Sequence, residues 1–120
     1  AMKERGIVAE QRIEAWLKEQ PGNIRVEGRS GTSRTSGRND SLHYDISYVN
    51  GDKTYYVEVK ACDSGEVHIS AGELEFARLN PETYRLALVY LESNQFQFVD
   101  DVYNKVKDIK VAEGWKIAVG

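Results

Sequence analysis

Three residues of this chain have the types and the spacing to act together chemically: Asp45, Glu58 and Lys60. Glu58 and Lys60 stand two apart in the β-rich run Thr54-Tyr55-Tyr56-Val57-Glu58-Val59-Lys60, and side chains two apart on a strand project from the same face. Asp45 sits in the run before it, from Leu42 to Val49, where Leu42, Tyr44, Ile46 and Tyr48 alternate with His43, Asp45, Ser47 and Val49. Asn50-Gly51 joins the two runs, and both residues tolerate the positive φ of a type I′ hairpin turn. With those two residues as the turn, Val49 falls opposite Asp52 and Asp45 opposite Tyr56. Asp45 then shares a face with Glu58 and Lys60, the acids being diagonal neighbours with Cβ atoms roughly 7 Å apart. A four-residue loop would pair Asp45 with Glu58 directly. Only a three-residue loop without a bulge would part them, because a one-residue slip turns every side chain to the other face.

Two carboxylates and an ammonium on one sheet face suit the cutting of phosphodiesters. Carboxylate oxygens are the ligands magnesium prefers, and magnesium binds through few protein groups while keeping waters and substrate oxygens; manganese is the alternative ion. Such an ion lowers the pKa of a bound water, and Lys60 can orient or deprotonate that water and stabilise charge developing on the phosphorus. Two nearby acids alone would repel, which gives a cation a physical reason to be there. The plain alternative is that Glu58 and Lys60 form an ordinary solvated cross-strand pair. Against it stand Asp45 at the matching offset and Val57 and Val59, which mark a central strand where a polar face needs a cause.

The elements that must position these residues are legible on either side. From Lys3 to Gln20, Ile7, Ala9, Ile13, Trp16 and Leu17 recur at helical spacing, and Pro21-Gly22 supplies the stop. A short strand from Asn23 to Glu27 is expected next, then a surface loop from Gly28 to Asn39, rich in Gly, Ser, Thr and Arg. After the hairpin, Ser70 and Glu73 form a capping box for a helix whose buried side is Leu74, Phe76, Ala77 and Leu79, ending at Asn80-Pro81. Strands are expected from Tyr84 to Leu91 and Gln95 to Val99, then a short helix from Val102 to Val106 and a last strand from Trp115 to Val119. The order predicts an α/β fold: a mixed β-sheet flanked by helices, with an αβββαβ core.

At 120 residues the chain fits one domain, 1–120, and Ala1-Met2 reads as a cloning remnant, so we expect a domain excised from a longer protein with further domains as partners. The single cysteine, Cys62, precludes an internal disulfide and suits an intracellular setting in the cytoplasm or nucleus, with burial as a small hydrophobe its expected role. No apolar run approaches the ~18 residues of a membrane span, so no membrane partner is expected. A net charge of −3 argues against a broadly basic nucleic-acid coat, yet Arg25, Arg29, Arg34 and Arg38 cluster with only Glu27 opposing them. Arg29, Arg34 and Arg38 could track a phosphate backbone; the alternative is a plain solvated loop.

Tyr44-Asp45-Ile46, Tyr56-Val57-Glu58-Val59-Lys60, the helix Ile69-Ser70-Ala71-Gly72-Glu73-Leu74-Glu75-Phe76-Ala77 and Tyr84-Arg85-Leu86 together resemble the NO VEIN C-terminal domain family, grouped with the PD-(D/E)XK nucleases. The resemblance spans roughly Gly6 to Asp100. It implies a restriction-endonuclease-like fold and a magnesium-dependent nuclease, with Asp45 as motif aspartate, Glu58 as second acid and Lys60 as motif lysine. It also draws in Glu10 as a helix-one acid beside the metal, and Glu10 lies at helical spacing from Ile13 and Leu17. His43-Tyr44 replaces the Pro or Gly usual before the motif aspartate. Glu73 is accounted for by capping, Glu75 by solvation or an ion pair, and His43 by a structural role, although Glu75 and His43 remain candidates for substrate or metal contact. His68 has no partner pattern.

The expected activity is therefore endonucleolytic hydrolysis by direct water attack, on DNA ahead of RNA. A homodimer would suit cutting both strands of a duplex. Two other classes are carried: a catalytically silent nucleic-acid-binding or protein-interaction module on the same scaffold, and a structural dimerisation domain pairing through a sheet edge.

Overall fold

Ala9, Ile13 and Leu17 stand four residues apart, which on a helix of 3.6 residues per turn sets them along one stripe. In the computed structural model, which describes residues 2–21, 24–29, 44–62, 65–111 and 114–118, they form the buried face of α1 (Met2–Lys18). The helix ends ahead of Pro21, with the Gln20 side chain donating to the Trp16 carbonyl at 3.0 Å and Lys18 paired to Glu14 at 3.0 Å.

Next come β1 (Ile24–Arg29), β2 (Ile46–Asn50) and β3 (Lys53–Ala61), an antiparallel run in which β1 bulges between Val26 and Gly28. β1 runs past the expected end at Glu27, because Gly28 and Arg29 pair with Ser47 and Ile46. The hairpin also departs from expectation. Asn50 pairs with Lys53, so the turn residues are Gly51 and Asp52. Gly51 alone takes a positive φ, +70°, as the first central residue of a type II′ turn does, whereas the expected type I′ turn would need it twice. β2 starts at Ile46, later than the alternation from Leu42 suggested, since Asp45 uses its side chain in place of a ladder bond; positions 42 and 43 lie outside the described residues.

β4 (Glu66–Ile69) leads into α2 (Ala71–Leu79), β5 (Tyr84–Tyr90), β6 (Gln95–Val99), α3 (Val102–Val106), β7 (Lys110–Val111) and β8 (Gly114–Ala118). One sheet has the order β1-β2-β3-β5-β6, with β3 and β5 parallel and the other neighbours antiparallel. A second, β4-β8-β7, was not anticipated from the sequence. β5 is buried on both faces from Leu86 to Val89, as the centre of a covered sheet must be.

Two apolar clusters lie on the two faces of the larger sheet. Ala9, Ile13 and Leu17 of α1 meet Ile46, Tyr48, Val57, Val59, Ala87 and Val89 on one face. On the other, Leu74 and Ala77 of α2 and Val102 and Val106 of α3 meet Tyr84, Leu86 and Leu88, with Val67 and Ile69 of the second sheet and the buried Cys62. The period-two alternation of β3 sends Val57 and Val59 towards α1, and Tyr56, Glu58 and Lys60 towards α2. No helix among the described residues is long and apolar enough to cross a membrane.

Candidate active site

Asp45 is fixed by its own backbone and side chain immediately before β2. Its N–H donates to the Val57 carbonyl at 2.8 Å, and its Oδ2 accepts the Val59 N–H at 2.8 Å. Ile46 pairs with Val57 as the last rung of the ladder, and Asp45, just beyond it, is bonded to the β3 segment on either side of Glu58. The turn at Gly51-Asp52 shifts the register from the one the Asn50-Gly51 turn implied, and Asp45 lies close enough for its charge to act on Glu58. A shift of two positions preserves the face, so Asp45, Glu58 and Lys60 still come together.

Both carboxylates are removed from water, Asp45 at 7% and Glu58 at 8% exposure. Burial, and after it the neighbouring charges of Asp45 and Glu73, push the Glu58 carboxyl well above the ordinary range; Lys60 offsets part of this. Lys60 Nζ stands 3.5 Å from Glu58 Oε2 and 3.1 Å from Glu73 Oε1. Burial works to lower the Lys60 ammonium, but Glu58 and Glu73 outweigh it and its pKa is raised. Held between these carboxylates, the Lys60 ammonium is placed to donate hydrogen bonds and to stabilise an anion. Glu73 is the reverse case, since burial raises its carboxyl but Lys60 and the Ser70 N–H bring it below the ordinary value.

Glu73 and Tyr84 were not singled out for the site by the sequence. Glu73 forms the expected capping box with Ser70, and from the same position its carboxylate reaches Lys60 with both oxygens, at 3.1 and 3.2 Å. The signal available was its place in the first turn of the helix that follows the hairpin carrying Glu58 and Lys60. The Tyr84 hydroxyl is buried with no hydrogen-bond partner among the described residues. Burial, then the charges of Glu58, Glu73 and Asp45, raise its pKa strongly. Tyr44, Tyr56, Phe76 and Tyr84 pack ring to ring, centroids 4.9 to 5.7 Å apart, and tie the entry to β2, β3, α2 and β5 together beside the acids.

Glu10 is 8% exposed and belongs to α1, the helix on the sheet face opposite Lys60; the charges acting on Glu58 are those of Asp45, Glu73 and Lys60. Glu75 is exposed and paired with Arg78. His68 is exposed on β4. Arg29 ends β1, its backbone paired with Ile46 next to Asp45. Arg34, Arg38 and His43 lie outside the described residues.

The sequence of residues 16–100 matches the family model described as "Protein NO VEIN, C-terminal". The chain belongs to that family. Asp45, Glu58, Lys60 and Glu73 all fall within the matched span, and Glu10 precedes it. No curated protein sequence matches the chain significantly. Among solved structures it is similar to Hjc, a Holliday junction resolvase from the archaeal hyperthermophile Archaeoglobus fulgidus, with a TM-score of 0.64 and 20% identity over 95% of this chain and 84% of that one. It is also similar to D212, a nuclease from a fusselovirus, with a TM-score of 0.61 and 10% identity over 97% of this chain and 81% of that one. The chain thus shares with these two structures its fold, a mixed sheet flanked by helices.

Proposed function

We propose that this domain is a metal-dependent nuclease that hydrolyses phosphodiester bonds, with DNA as the substrate and an endonucleolytic mode of cutting. The observation that supports it most is the gathering of Asp45, Glu58 and Lys60 on one face of adjacent strands, with Lys60 Nζ 3.5 Å from the Glu58 carboxylate. The nuclease fold of its structural neighbours agrees with this reading.

The donor set fits magnesium or manganese. Asp45 and Glu58 offer buried hard oxygen ligands, and the Glu58 carboxyl is pushed up first by burial and then by the charges of Asp45 and Glu73, a repulsion that a cation would relieve. Among the described residues no group of three His, Cys, Asp or Glu side chains forms a ready ligand set, and magnesium is commonly held by one or two carboxylates and its own waters. When bound there, the ion supplies a water of lowered pKa and neutralises phosphate charge. Asp45 is held rigid for this role by its bonds to Val57 and Val59. The Lys60 ammonium lies where it can donate to a phosphate oxygen and stabilise the charge that develops as water attacks. Glu10, buried on α1 across the sheet from Lys60, is proposed as a supporting acid acting from that side. Arg29, Arg34 and Arg38 are proposed to follow the phosphate backbone, since Arg29 leaves β1 beside the residue after Asp45.

A second reading, a silent nucleic-acid-binding module on the same scaffold, draws on the fact that the Lys60 ammonium is already paired with Glu58 and Glu73. One assay separates the two. Wild type, Lys60→Ala and Asp45→Asn are incubated with single- and double-stranded DNA and RNA in magnesium or manganese. Cleavage that drops about 100-fold or more in each variant is expected. Tight, salt-dependent binding with no cleavage would favour the silent module, and cleavage indifferent to both substitutions would remove the enzyme reading.

A further inference from the structure

We propose that Glu73 is a positioning residue of this site, reaching from the first turn of α2 to hold the Lys60 ammonium where it faces Glu58. The inference rests on the nuclease reading and adds a residue to it.

A lysine side chain is a compact charge on a flexible four-carbon stem, so its ammonium is placed only if something anchors it. Lys60 Nζ has three carboxylate oxygens around it: Glu73 Oε1 at 3.1 Å, Glu73 Oε2 at 3.2 Å and Glu58 Oε2 at 3.5 Å. Glu73 makes the two closer contacts. Its own carboxylate is fixed in turn, because Oε1 accepts the Ser70 N–H at 3.0 Å while Ser70 Oγ accepts the Glu73 N–H at 3.1 Å. α2 is seated on the sheet by Phe76, whose ring packs edge-on against Tyr56 and Tyr84 at 5.3 and 5.6 Å. A continuous path therefore runs from the capping box through Glu73 to Lys60 and on to Glu58.

Capping explains only part of this. One side-chain oxygen is enough for a capping box and Gln serves as well as Glu, so neither the charge nor the second oxygen of Glu73 is needed by the helix. Both reach Lys60, and the same carboxylate also shares a hydrogen bond with Glu58. The functional consequence is that Lys60 does not depend on Glu58 for its place. Glu58 can turn its oxygens to a cation while Glu73 keeps the ammonium beside it.

The test compares Glu73→Gln, which keeps the cap but loses the charge, with Ser70→Ala, which loses the Ser70 Oγ bond but keeps the carboxylate. The first readout is proton exchange of the Lys60 ammonium by lysine side-chain NMR in metal-free protein; the second is the separation of kcat from KM in cleavage. Glu73→Gln is expected to speed exchange at Lys60 and to lower kcat about 10- to 100-fold at unchanged KM, the range typical of supporting residues, with Ser70→Ala close to wild type in both. Should the Gln variant fail to fold, Glu73→Asp, which keeps the charge but shortens the reach, is expected to loosen Lys60 in the same measurement. Unchanged Lys60 exchange in the folded variant would overturn the inference even if the wild type cleaves. Faster exchange in a protein that never cleaves would support the anchoring while removing the nuclease reading.

Discussion

Burial, and then the charges of Asp45 and Glu73, hold the Glu58 carboxyl well above its ordinary pKa, so this residue is kept in the fold at some expense of stability. The folded state binds the Glu58 proton more tightly than the unfolded chain does. Its contribution to stability is complete below the unfolded carboxyl value of about 4.3 and is lost as pH rises through the raised folded value. Glu58→Gln cannot ionise and escapes that loss. In metal-free protein at pH 8 the variant is expected to be more stable by on the order of 1 kcal/mol, or roughly 4 °C in Tm, with the gap closing towards pH 5. Thermal melts across that range check it, and a variant that melts below wild type at pH 8 would refute it. Residue types and spacing alone brought out Asp45, Glu58 and Lys60. Glu73 was hidden because capping was already a sufficient explanation for it, and Tyr84 because its apolar neighbours Leu86 and Leu88 make it read as core.

At the scale of elements, legibility followed how local the pairing is. The α1 stripe, the hairpin and the Ser70 capping box are each written within a few turns or residues of chain, and each formed close to where the pattern placed it. β4 was missed because its signal is Glu66-Val67-His68-Ile69 alone, and its partner β8 lies far along the chain, from Gly114 to Ala118. The hairpin register moved because Asn50 did not use the positive φ it tolerates, leaving Gly51 to make the turn with Asp52. In the second sheet β8 pairs with β4, the strand that leads into α2, and Gly114 of β8 comes close to the end of β4. A Cβ there would lie 2.7 Å from the Ile69 carbonyl oxygen, and the backbone holds φ at +139°. Gly114→Ala is expected to destabilise by about 1–3 kcal/mol, measured by chemical denaturation, and a neutral effect would show that this approach is looser than described.

At the scale of the molecule, one sheet keeps two tasks apart. Its α1 face is apolar and seats the helix through Val57 and Val59, while its α2 face carries Glu58 and Lys60 on the same strand. The two solved structures of similar fold share this sheet flanked by helices. With an overall charge of −3, we propose the arginine-bearing stretch as the place where a polyanion would be drawn in. What matters most is whether Asp45 and Glu58 bind one ion between them. Anomalous diffraction from crystals soaked in manganese answers this directly. A single peak about 2.1 Å from a carboxylate oxygen of each residue, with the Lys60 ammonium alongside, is the expected result. A peak that touches neither acid, or none at saturating manganese, would contradict the account.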